Sequence, residues 1–317
     1  MLMNLVKSGR NFFQNVSQLT KIREEMADQS NLFNTKLAQL LETINQMSFA
    51  SKTEDQAPLD PSLAAAQFDH RIDTHIVPFH RSVFWGDRLL TLDKSAGFME
   101  EERFASAYGA IRGAHQYDQY ASPQTIAWRL HTLVWAAKIG LEVEGDFVEC
   151  GVFRGDMSWV ITQVLDFKSK NKQFYLFDTF SGFSEKYSSS DDFPNNPGFF
   201  EFANQIYSDP SHYQYVCERF KDEPAVHVIK GVVPDILEAH MPEKIAFMHI
   251  DLNSAAAEIG ALELLFPRMS PGAILIFDDY GWKDYFKQKE AEDAFMFQRG
   301  YHILELPTGQ GMVIKKS

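Results

Sequence analysis

Carboxylate side chains stand directly after two hydrophobic segments in the second half of the chain, where they could bind a cation or take up a proton. Asp251 follows the segment IAFMHI, and the adjacent pair Asp278 and Asp279 follows AILIF. Because carboxylates brought close together repel one another, such a group needs protons or a cation to balance its charge. With the amide of Asn253, their oxygens suit a hard ion, Mg²⁺ before Ca²⁺ or Mn²⁺. We therefore predict a metal site at the three aspartates; the alternative is that the pair only caps the next segment and Asp251 faces solvent.

A glycine turn and a further aspartate follow two other hydrophobic segments. In the run ECGVFRG, Gly151 and Gly155 would let the backbone approach a ligand closely. Ser158 lies in the first turn of the next predicted helix, where serine caps free N–H groups. Asp178 ends the following segment, at a position suited to accept both hydroxyls of an adenosine ribose. Each feature alone is also typical of a plain turn, but together they favour a ligand that contains adenosine.

Most of these residues stand at the ends of strands that the sequence predicts for one parallel sheet. From about Gln124, strand-type segments alternate with helix-type segments, which is typical of a parallel sheet with crossover helices. In such a sheet, ligands bind beyond the carboxyl ends of the strands. The turn PTGQ is too short for a crossover, so the segments beside it, Tyr301–Leu306 and Gly311–Ile314, predict an antiparallel hairpin. The predicted parallel strands are Asp146–Glu149, Gln173–Phe177, Ala225–Ile229, Ile245–Ile250 and Ala273–Phe277.

Composition and charge exclude several classes of protein. The chain has 317 residues, of which 45% are hydrophobic and 23% are charged, as in a globular protein. Its formal net charge of −13, with no offsetting basic block, argues against nucleic-acid binding. Cys150 and Cys217 are its only cysteines, too few for a disulfide framework or a cysteine zinc site, and they suit the cytoplasm. No apolar run approaches the roughly 18 residues of a membrane span, and the N-terminus does not resemble a signal peptide.

The chain divides into four zones. Residues 1–50 carry apolar residues at helical spacing without a strict heptad, which predicts an amphipathic, coiled-coil-like helical segment. This segment could form a homo-oligomer or dock on the rest of the chain; a solvated helix is the alternative. Residues 51–62 are rich in Pro, Asp and Ser and predict a linker. Residues 63–123 show no clear strand pattern and predict a helical cap, and residues 124–317 hold the predicted sheet.

Five motifs resemble the macrocin O-methyltransferase-like family, over about residues 122–317. The resemblance implies an α/β fold of the class I methyltransferase (Rossmann-like) type. A parallel sheet closed by an antiparallel hairpin fits that type better than it fits a nicotinamide dehydrogenase. The resemblance also implies methyl transfer from S-adenosylmethionine (SAM) to a hydroxyl, on sugars of glycans or glycosylated natural products. The motifs are FVECGVFRG (147–155), LFDTFSGF (176–183), HIDLN (249–253), SPGAILIFDDYG (270–281) and TGQG (308–311).

The roles that the resemblance implies fall into two groups, one around SAM and one around Mg²⁺. To the first group we add Ser158, and Gly231 after the third predicted strand. The SAM group is then Glu149, Gly151 and Gly155 on the methionine side, Asp178 on the ribose, Ser158 and Gly231. The Mg²⁺ group is Asp251, Asp278 and Asp279.

Asp251 is the predicted proton acceptor of the reaction. His249 lies two residues earlier on the same strand face and is the second candidate, although a core histidine fits this position as well. One departure from the family bears on the choice. Better-known members carry Asp-Gly-Asp where this chain has Asp251, Leu252 and Asn253, so a base role for the second carboxylate is lost.

Two other functions are alternatives. An NAD- or nucleotide-binding oxidoreductase would use a similar sheet, but the chain lacks the pattern G-x-G-x-x-G and a Walker lysine at the glycine turn. A non-catalytic methyltransferase-fold module, whose N-terminal helices scaffold an assembly, would bind SAM without transferring its methyl group. Retention of all three aspartates argues against such a module.

Overall fold

The computed structural model describes residues 82–87, 89–92, 94–111, 126–194 and 196–317. The predicted helical segment at 1–50 and the predicted linker at 51–62 lie outside these residues, as does part of the zone 63–123. The boundaries of these zones, and the self-association expected of the first, therefore stay predictions.

Nine strands lie in the described residues: β1 (Ser82–Gly86), β2 (Leu89–Leu92), β3 (Asp146–Cys150), β4 (Phe174–Asp178), β5 (Val226–Lys230), β6 (Ile245–Ile250), β7 (Met269–Phe277), β8 (Leu304–Glu305) and β9 (Gly311–Ile314). Strands β1 and β2 form an antiparallel hairpin, and the other seven form one sheet in the order β5-β4-β3-β6-β7-β9-β8. Strands β3 to β7 are parallel, and β9 runs antiparallel to both β7 and β8. The predicted α/β sheet with a terminal antiparallel hairpin is confirmed.

Helices cover both faces of this sheet. The α-helices of the described residues are α1 (Glu102–Ile111), α2 (Ala127–Gly140), α3 (Asp156–Leu165), α4 (Pro197–Tyr207), α5 (Ser211–Arg219), α6 (Leu237–His240), α7 (Ala255–Leu265) and α8 (Phe286–Gln298). Helices α1, α2 and α3 form the apolar core on one face, and α7 and α8 form the core on the other. No helix in this part of the chain is both long and apolar enough to cross a membrane.

The central strands are apolar on both faces because both faces are covered. Every residue of β6 is buried, as is the segment AILIF at the end of β7. Such double burial requires continuous hydrophobic runs, which is why the sequence located these strands. Two polar residues interrupt the runs: Glu149 of β3 lies beside His249 of β6 in register. Their buried side chains therefore lie next to each other on the neighbouring strands β3 and β6.

The hairpin of β1 and β2 lies in the zone for which the sequence predicts helices. Its turn holds Asp87 at a φ of +53°, a left-handed conformation that Asp tolerates better than most residues. Asp and Arg fill the positions between the paired Gly86 and Leu89, instead of the Asn-Gly or Asp-Gly pair that marks a hairpin. The expectation of helices alone is thus wrong for this stretch, whereas α1 agrees with it.

Both cysteines of the chain are free thiols. Cys150 ends β3 and is fully buried, and burial raises the pKa of its thiol well above the ordinary value. A neutral buried thiol behaves as a small apolar side chain and is a poor nucleophile.

Two carboxyl groups face each other in the core between α7 and α8. Glu258 and Glu292 are both fully buried, and Glu258 also accepts a hydrogen bond from the backbone N–H of Leu252 at 3.0 Å. Burial raises the pKa of Glu292 to about 7, and burial together with the neighbouring Glu292 raises the pKa of Glu258 well above its ordinary value. A proton held by the pair therefore stabilises it, and the hydrogen bond of Glu258 to Leu252 connects the pair to the loop after β6.

The turn after β3 requires glycine for steric reasons. Gly151 has a φ of +89°, and a Cβ atom at this position would lie 1.8 Å from the carbonyl oxygen of Asp251. No side chain fits between the two strand ends, since this distance is far inside van der Waals contact. The close approach brings the end of β3 and the end of β6 to the same point of the sheet edge.

We expect Glu292→Gln to stabilise the fold increasingly as the pH rises. The pKa of Glu292 in the folded chain is about 7, above the ordinary value of 4.5, so the folded chain keeps a proton that the unfolded chain releases. Stability from this group is complete at low pH and is lost as the pH rises through 7. Between about pH 5 and 8, urea denaturation should show the variant gaining roughly 2 kcal/mol of unfolding free energy over wild type. Glu290→Gln, exposed on the same helix, is the control; an equal pH response in both variants would contradict the shared proton.

Gly151→Ala should lower the free energy of unfolding by more than roughly 2 kcal/mol, since the methyl group has no room and the φ is left-handed. Gly109→Ala is the matched control, because Gly109 is exposed on α1 and a Cβ atom there would meet nothing within 4 Å. The control should gain about 0.5 kcal/mol from helix propensity. Chemical denaturation measures both, and a loss of similar size in the control would show that the crowding at Gly151 is not the cause.

Candidate active site

A cavity of about 580 Å³ lies at the carboxyl edge of the parallel strands. The structure brings five of the predicted site residues to its wall, each from the end of a strand. They are Gly151, Asp178, Asp251, Asp278 and Asp279. The other predicted residues do not line this cavity and lie behind its wall. They are Glu149, Gly155, Ser158, Gly231 and His249.

The carboxylate of Asp178 organises the glycine turn. Its Oδ2 accepts hydrogen bonds from the backbone N–H groups of Val152 and Phe153 at 2.7 and 2.8 Å. Its Oδ1 accepts one from the backbone N–H of Phe180 at 2.6 Å. The Thr179 hydroxyl lies 3.5 Å from the same oxygen, but its one proton is donated to the carbonyl oxygen of Gly182. Because a carboxylate oxygen accepts two hydrogen bonds, Oδ1 keeps capacity for a ligand hydroxyl at the cavity wall. The same side chain can therefore shape the turn and contact a ligand.

Two of the predicted glycines act through packing. A Cβ atom on Gly155, whose φ is +72°, would lie 2.9 Å from the ring of Phe220, and one on Gly231 would lie 2.7 Å from the side chain of Ile236. Gly155 thus lets the start of α3 pack closely against the C-terminal end of α5. Gly231 lets the chain after β5 pack closely against Ile236, five residues further on.

A buried polar network runs behind the cavity from β3 to β7. Ser158 donates a hydrogen bond to Glu149, whose Oε1 lies 2.8 Å from Nδ1 of His249. Nε2 of His249 lies 3.5 Å from Oδ1 of Asp278, which also accepts a hydrogen bond from Nε2 of Gln310 at 2.9 Å. The network fixes the position of Asp278 from the side away from the cavity.

The two carboxylates beside His249 favour its protonated form. Burial by itself lowers its pKa, but the hydrogen bonds and charges of Asp278 and Glu149 raise it to about 10. A protonated imidazole has no lone pair to take up a further proton. His249 therefore serves as a fixed positive charge between two carboxylates.

An arginine that the sequence patterns did not indicate lies in the middle of the acidic cluster. Nη1 of Arg129, from the first turn of α2, lies 2.5 Å from Oδ2 of Asp278 and 3.3 Å from Oδ1 of Asp279. Its Nε lies 2.6 Å from Oδ2 of Asp87, and its guanidinium group lies 4.9 Å from the centre of the Trp282 ring. No motif surrounds Arg129, and only the charge balance of the cluster signals the need for such a residue.

The aspartates differ in how well their charge is balanced. Although burial opposes it, Arg129 and His249 hold the pKa of Asp278 below its ordinary value. Burial raises the pKa of Asp279 to about 7 in spite of Arg129, and burial and the charges of Asp278 and Asp279 raise the pKa of Asp251 well above its ordinary value. The site holds more carboxylates than its two internal cations can neutralise.

This donor set fits a divalent cation. Carboxylate oxygens of Asp251 and Asp278 lie within 4.8 Å of each other and of a ring nitrogen of His249, and Asp279 lines the same cavity. Because His249 carries a proton, the aspartates supply the ligand atoms. Carboxylate oxygens are the ligands that Mg²⁺ prefers. A cation would also supply the positive charge whose shortage raises the pKa of Asp251 and Asp279.

The rest of the cavity wall is largely aromatic and aliphatic. Helix α4 contributes one side, and the segment after β7 contributes another. These apolar residues are Phe199, Phe202, Ala203, Ile206 and Tyr207 from α4, and Trp282 and Tyr285 from the later segment. A wall of this kind suits the flat or apolar parts of a ligand, whereas the strand ends supply the polar contacts.

Known proteins resemble this chain in both sequence and architecture. Residues 127–302 match the sequence model of the family described as macrocin-O-methyltransferase (TylF). The mycinamicin III 3''-O-methyltransferase of Micromonospora griseorubida is 25% identical over 193 residues, which are 58% of this chain and 74% of that protein. A second relative, from Streptomyces olivaceus, is 28% identical over 140 residues, which are 44% of this chain and 54% of that protein. It is named 8-demethyl-8-(2,3-dimethoxy-alpha-L-rhamnosyl)-tetracenomycin-C 4'-O-methyltransferase.

Solved structures show the same fold at low sequence identity. The O-methyltransferase NovP superposes with a TM-score of 0.52 at 20% identity, over 62% of this chain and 82% of NovP. The calicheamicin methyltransferase CalS11 superposes with a TM-score of 0.51 at 14% identity, over 83% of this chain and 99% of CalS11. The family match covers more than half of the chain and includes the strand ends that form the cavity wall. The chain belongs to the macrocin-O-methyltransferase (TylF) family and is a SAM-dependent O-methyltransferase with the class I, Rossmann-like fold.

Proposed function

We propose that this enzyme transfers the methyl group of SAM to a hydroxyl of a sugar, in a glycan or a glycosylated natural product, with the help of Mg²⁺. The observation that carries the proposal is the convergence of Asp178 and the glycine turn with Asp251, Asp278 and Asp279 around one cavity. This convergence supports a cofactor subsite beside a cation subsite, an arrangement that suits methyl transfer to a hydroxyl whose pKa the cation lowers.

The cofactor subsite is the turn after β3 together with the end of β4. In the proposal, Asp178 accepts a hydrogen bond from one ribose hydroxyl with the remaining capacity of Oδ1, while Gly151 lets the methionine part of SAM pass close to the backbone. Glu149, Ser158 and His249 support the turn through their buried hydrogen bonds. Gly155 and Gly231 shape the backbone on either side.

The transfer itself needs alignment and removal of a proton. The sulfonium methyl group is already electrophilic, so the enzyme must hold the acceptor oxygen in line behind it. Asp251 takes the proton in the proposal, because it lines the cavity beside Asp278 and Asp279, where the acceptor hydroxyl would be held. His249 contributes a fixed charge instead, since it is already protonated.

The cation subsite consists of Asp251, Asp278 and Asp279. Mg²⁺ bound there would lower the pKa of an acceptor hydroxyl and orient it. Asn253 fits this arrangement without being a base: its φ of +56° suits asparagine, and its Nδ2 lies 3.3 Å from Oδ1 of Asp251. The asparagine therefore helps to orient the proton acceptor.

The names of the relatives support a sugar acceptor. One relative is named for a rhamnosyl tetracenomycin, and the other for the 3''-position of mycinamicin III. Three predictions from the sequence accompany the proposal: a cytoplasmic location, no nucleic-acid partner, and self-association through residues 1–50.

A SAM-consumption assay over glycosides, nucleotide sugars and catechols tests the acceptor class and the ion together. We expect turnover with a glycoside or nucleotide sugar, inhibition by EDTA, and recovery on addition of Mg²⁺. Turnover with catechols alone would contradict the sugar acceptor. SAM binding without methyl transfer to any acceptor would favour the non-catalytic scaffold.

Asp251→Asn should abolish turnover while SAM binding survives. The amide cannot take up a proton, so kcat should fall by at least about 100-fold. The dissociation constant of SAM, measured by calorimetry, should change less than about threefold, because Asp251 lies outside the cofactor subsite. Asp222→Asn, exposed after α5, is the control and should keep full turnover. Loss of SAM affinity with retained turnover would contradict the role given to Asp251.

A further inference from the structure

We propose that Arg129 is an internal counter-ion of the cation site, which competes with the divalent ion for Asp278 and Asp279 and is held by Asp87 when the ion binds. This inference rests on the proposed function, since the cation site is part of it. It concerns a residue of α2 for which no sequence motif predicts a role, and a carboxylate on the hairpin of β1 and β2.

The first step is that the guanidinium and the ion would use the same carboxylates. Nη1 of Arg129 lies 2.5 Å from Oδ2 of Asp278 and 3.3 Å from Oδ1 of Asp279. The other oxygen of Asp278, Oδ1, already accepts the hydrogen bond of Gln310 and lies 3.5 Å from Nε2 of His249. An ion bound through Asp278 therefore meets the oxygen that Nη1 contacts, and the two positive charges repel each other there.

The second step is that Arg129 has another partner for its charge. A guanidinium group is a rigid fork with donors on two sides. Its Nε and Nη2 lie 2.6 and 3.4 Å from the two carboxylate oxygens of Asp87. These contacts do not involve Asp278 or Asp279, so Arg129 can keep them when Nη1 moves away. Asp87 thereby stabilises the arrangement in which the ion is bound.

The third step is that the surroundings restrict where the guanidinium group can go. The Trp282 ring lies 4.9 Å from it, within the range of a cation–π contact. The side chain of Arg129 is 12% exposed and that of Asp87 is 14% exposed, so neither charge is well solvated. Because water screens these charges poorly, a change of carboxylate partner alters the electrostatic energy of Arg129 more than it would at the surface.

Calorimetric titration of the EDTA-treated, full-length protein with MgCl₂ tests the competition without any turnover. Arg129→Gln should bind Mg²⁺ at least about tenfold more tightly than wild type, because the competing charge is gone. Arg129→Lys keeps the charge but cannot bridge Asp87 and Asp278, so it should also bind more tightly, by about threefold or more. Asp87→Asn should bind about threefold or more weakly, because the displaced guanidinium loses its partner.

Two comparisons make the outcome decisive. Lys186→Gln removes an exposed charge outside the cluster and should leave the affinity for Mg²⁺ unchanged. If Arg129→Lys binds Mg²⁺ like wild type while Arg129→Gln binds it more tightly, the positive charge alone competes with the ion, and the part assigned to the bridge between Asp87 and Asp278 is overturned. Weaker binding by Arg129→Gln, in protein whose melting temperature and SAM affinity match wild type, would show instead that Arg129 organises the ligands and would overturn it as well.

The same titrations separate this inference from the proposed function. If wild type binds Mg²⁺ and both Arg129 variants bind it with the same affinity, the competition is refuted while the cation site stands. If neither wild type nor Arg129→Gln binds Mg²⁺ while SAM still binds, the cation site itself fails. Wild type that binds no Mg²⁺, with clear binding by Arg129→Gln, is the strongest form of the expected result.

Discussion

An excess of negative charge at one buried sheet edge is the constraint on which the site depends. Asp251, Asp278 and Asp279 come from two adjacent parallel strands, and Glu149 lies behind them. Carboxylates at such distances are unstable unless cations or protons accompany them. Two internal cations, Arg129 and His249, balance part of this negative charge. Both belong to other elements than β7, the strand that the paired aspartates follow. The arrangement is thus charged to the point where a further cation is favourable.

Some residues of this network hold the site in position, and others face the cavity. Glu149, His249 and Gln310 approach Asp278 from inside the protein and immobilise it, whereas Asp251 and Asp279 face the cavity with raised pKa values. The glycine turn follows a similar logic, because one oxygen of Asp178 is fully used in holding two backbone N–H groups and the other is less occupied. Groups that are already satisfied hold the site in place, and groups that are not satisfied are available to ligands.

Local sequence predicted most of the fold and part of the site, for reasons that particular residues illustrate. The central strands β3, β6 and β7 were predictable because doubly buried strands must be continuous apolar runs. Asp178 and Asp251 were predictable because each stands at the end of a hydrophobic strand. Arg129 was not, since its partners stand 149 and 42 residues away in the chain. The charge on His249 depends on Glu149 of a neighbouring strand, and the hairpin turn at Asp87 lacks the residue pair that marks such turns.

The contacts of Asp278 and Arg129 show where this enzyme's working unit ends. The family match begins at residue 127 and ends at residue 302, whereas Asp87 lies before it and Gln310 lies after it. A protein trimmed to the matched stretch would retain every aspartate of the cluster and lose the anion and the amide that hold it from either side. The limits of the family match therefore cut through a network of charges and hydrogen bonds, and a shortened protein should keep the hairpin of β1 and β2 and the turn before β9.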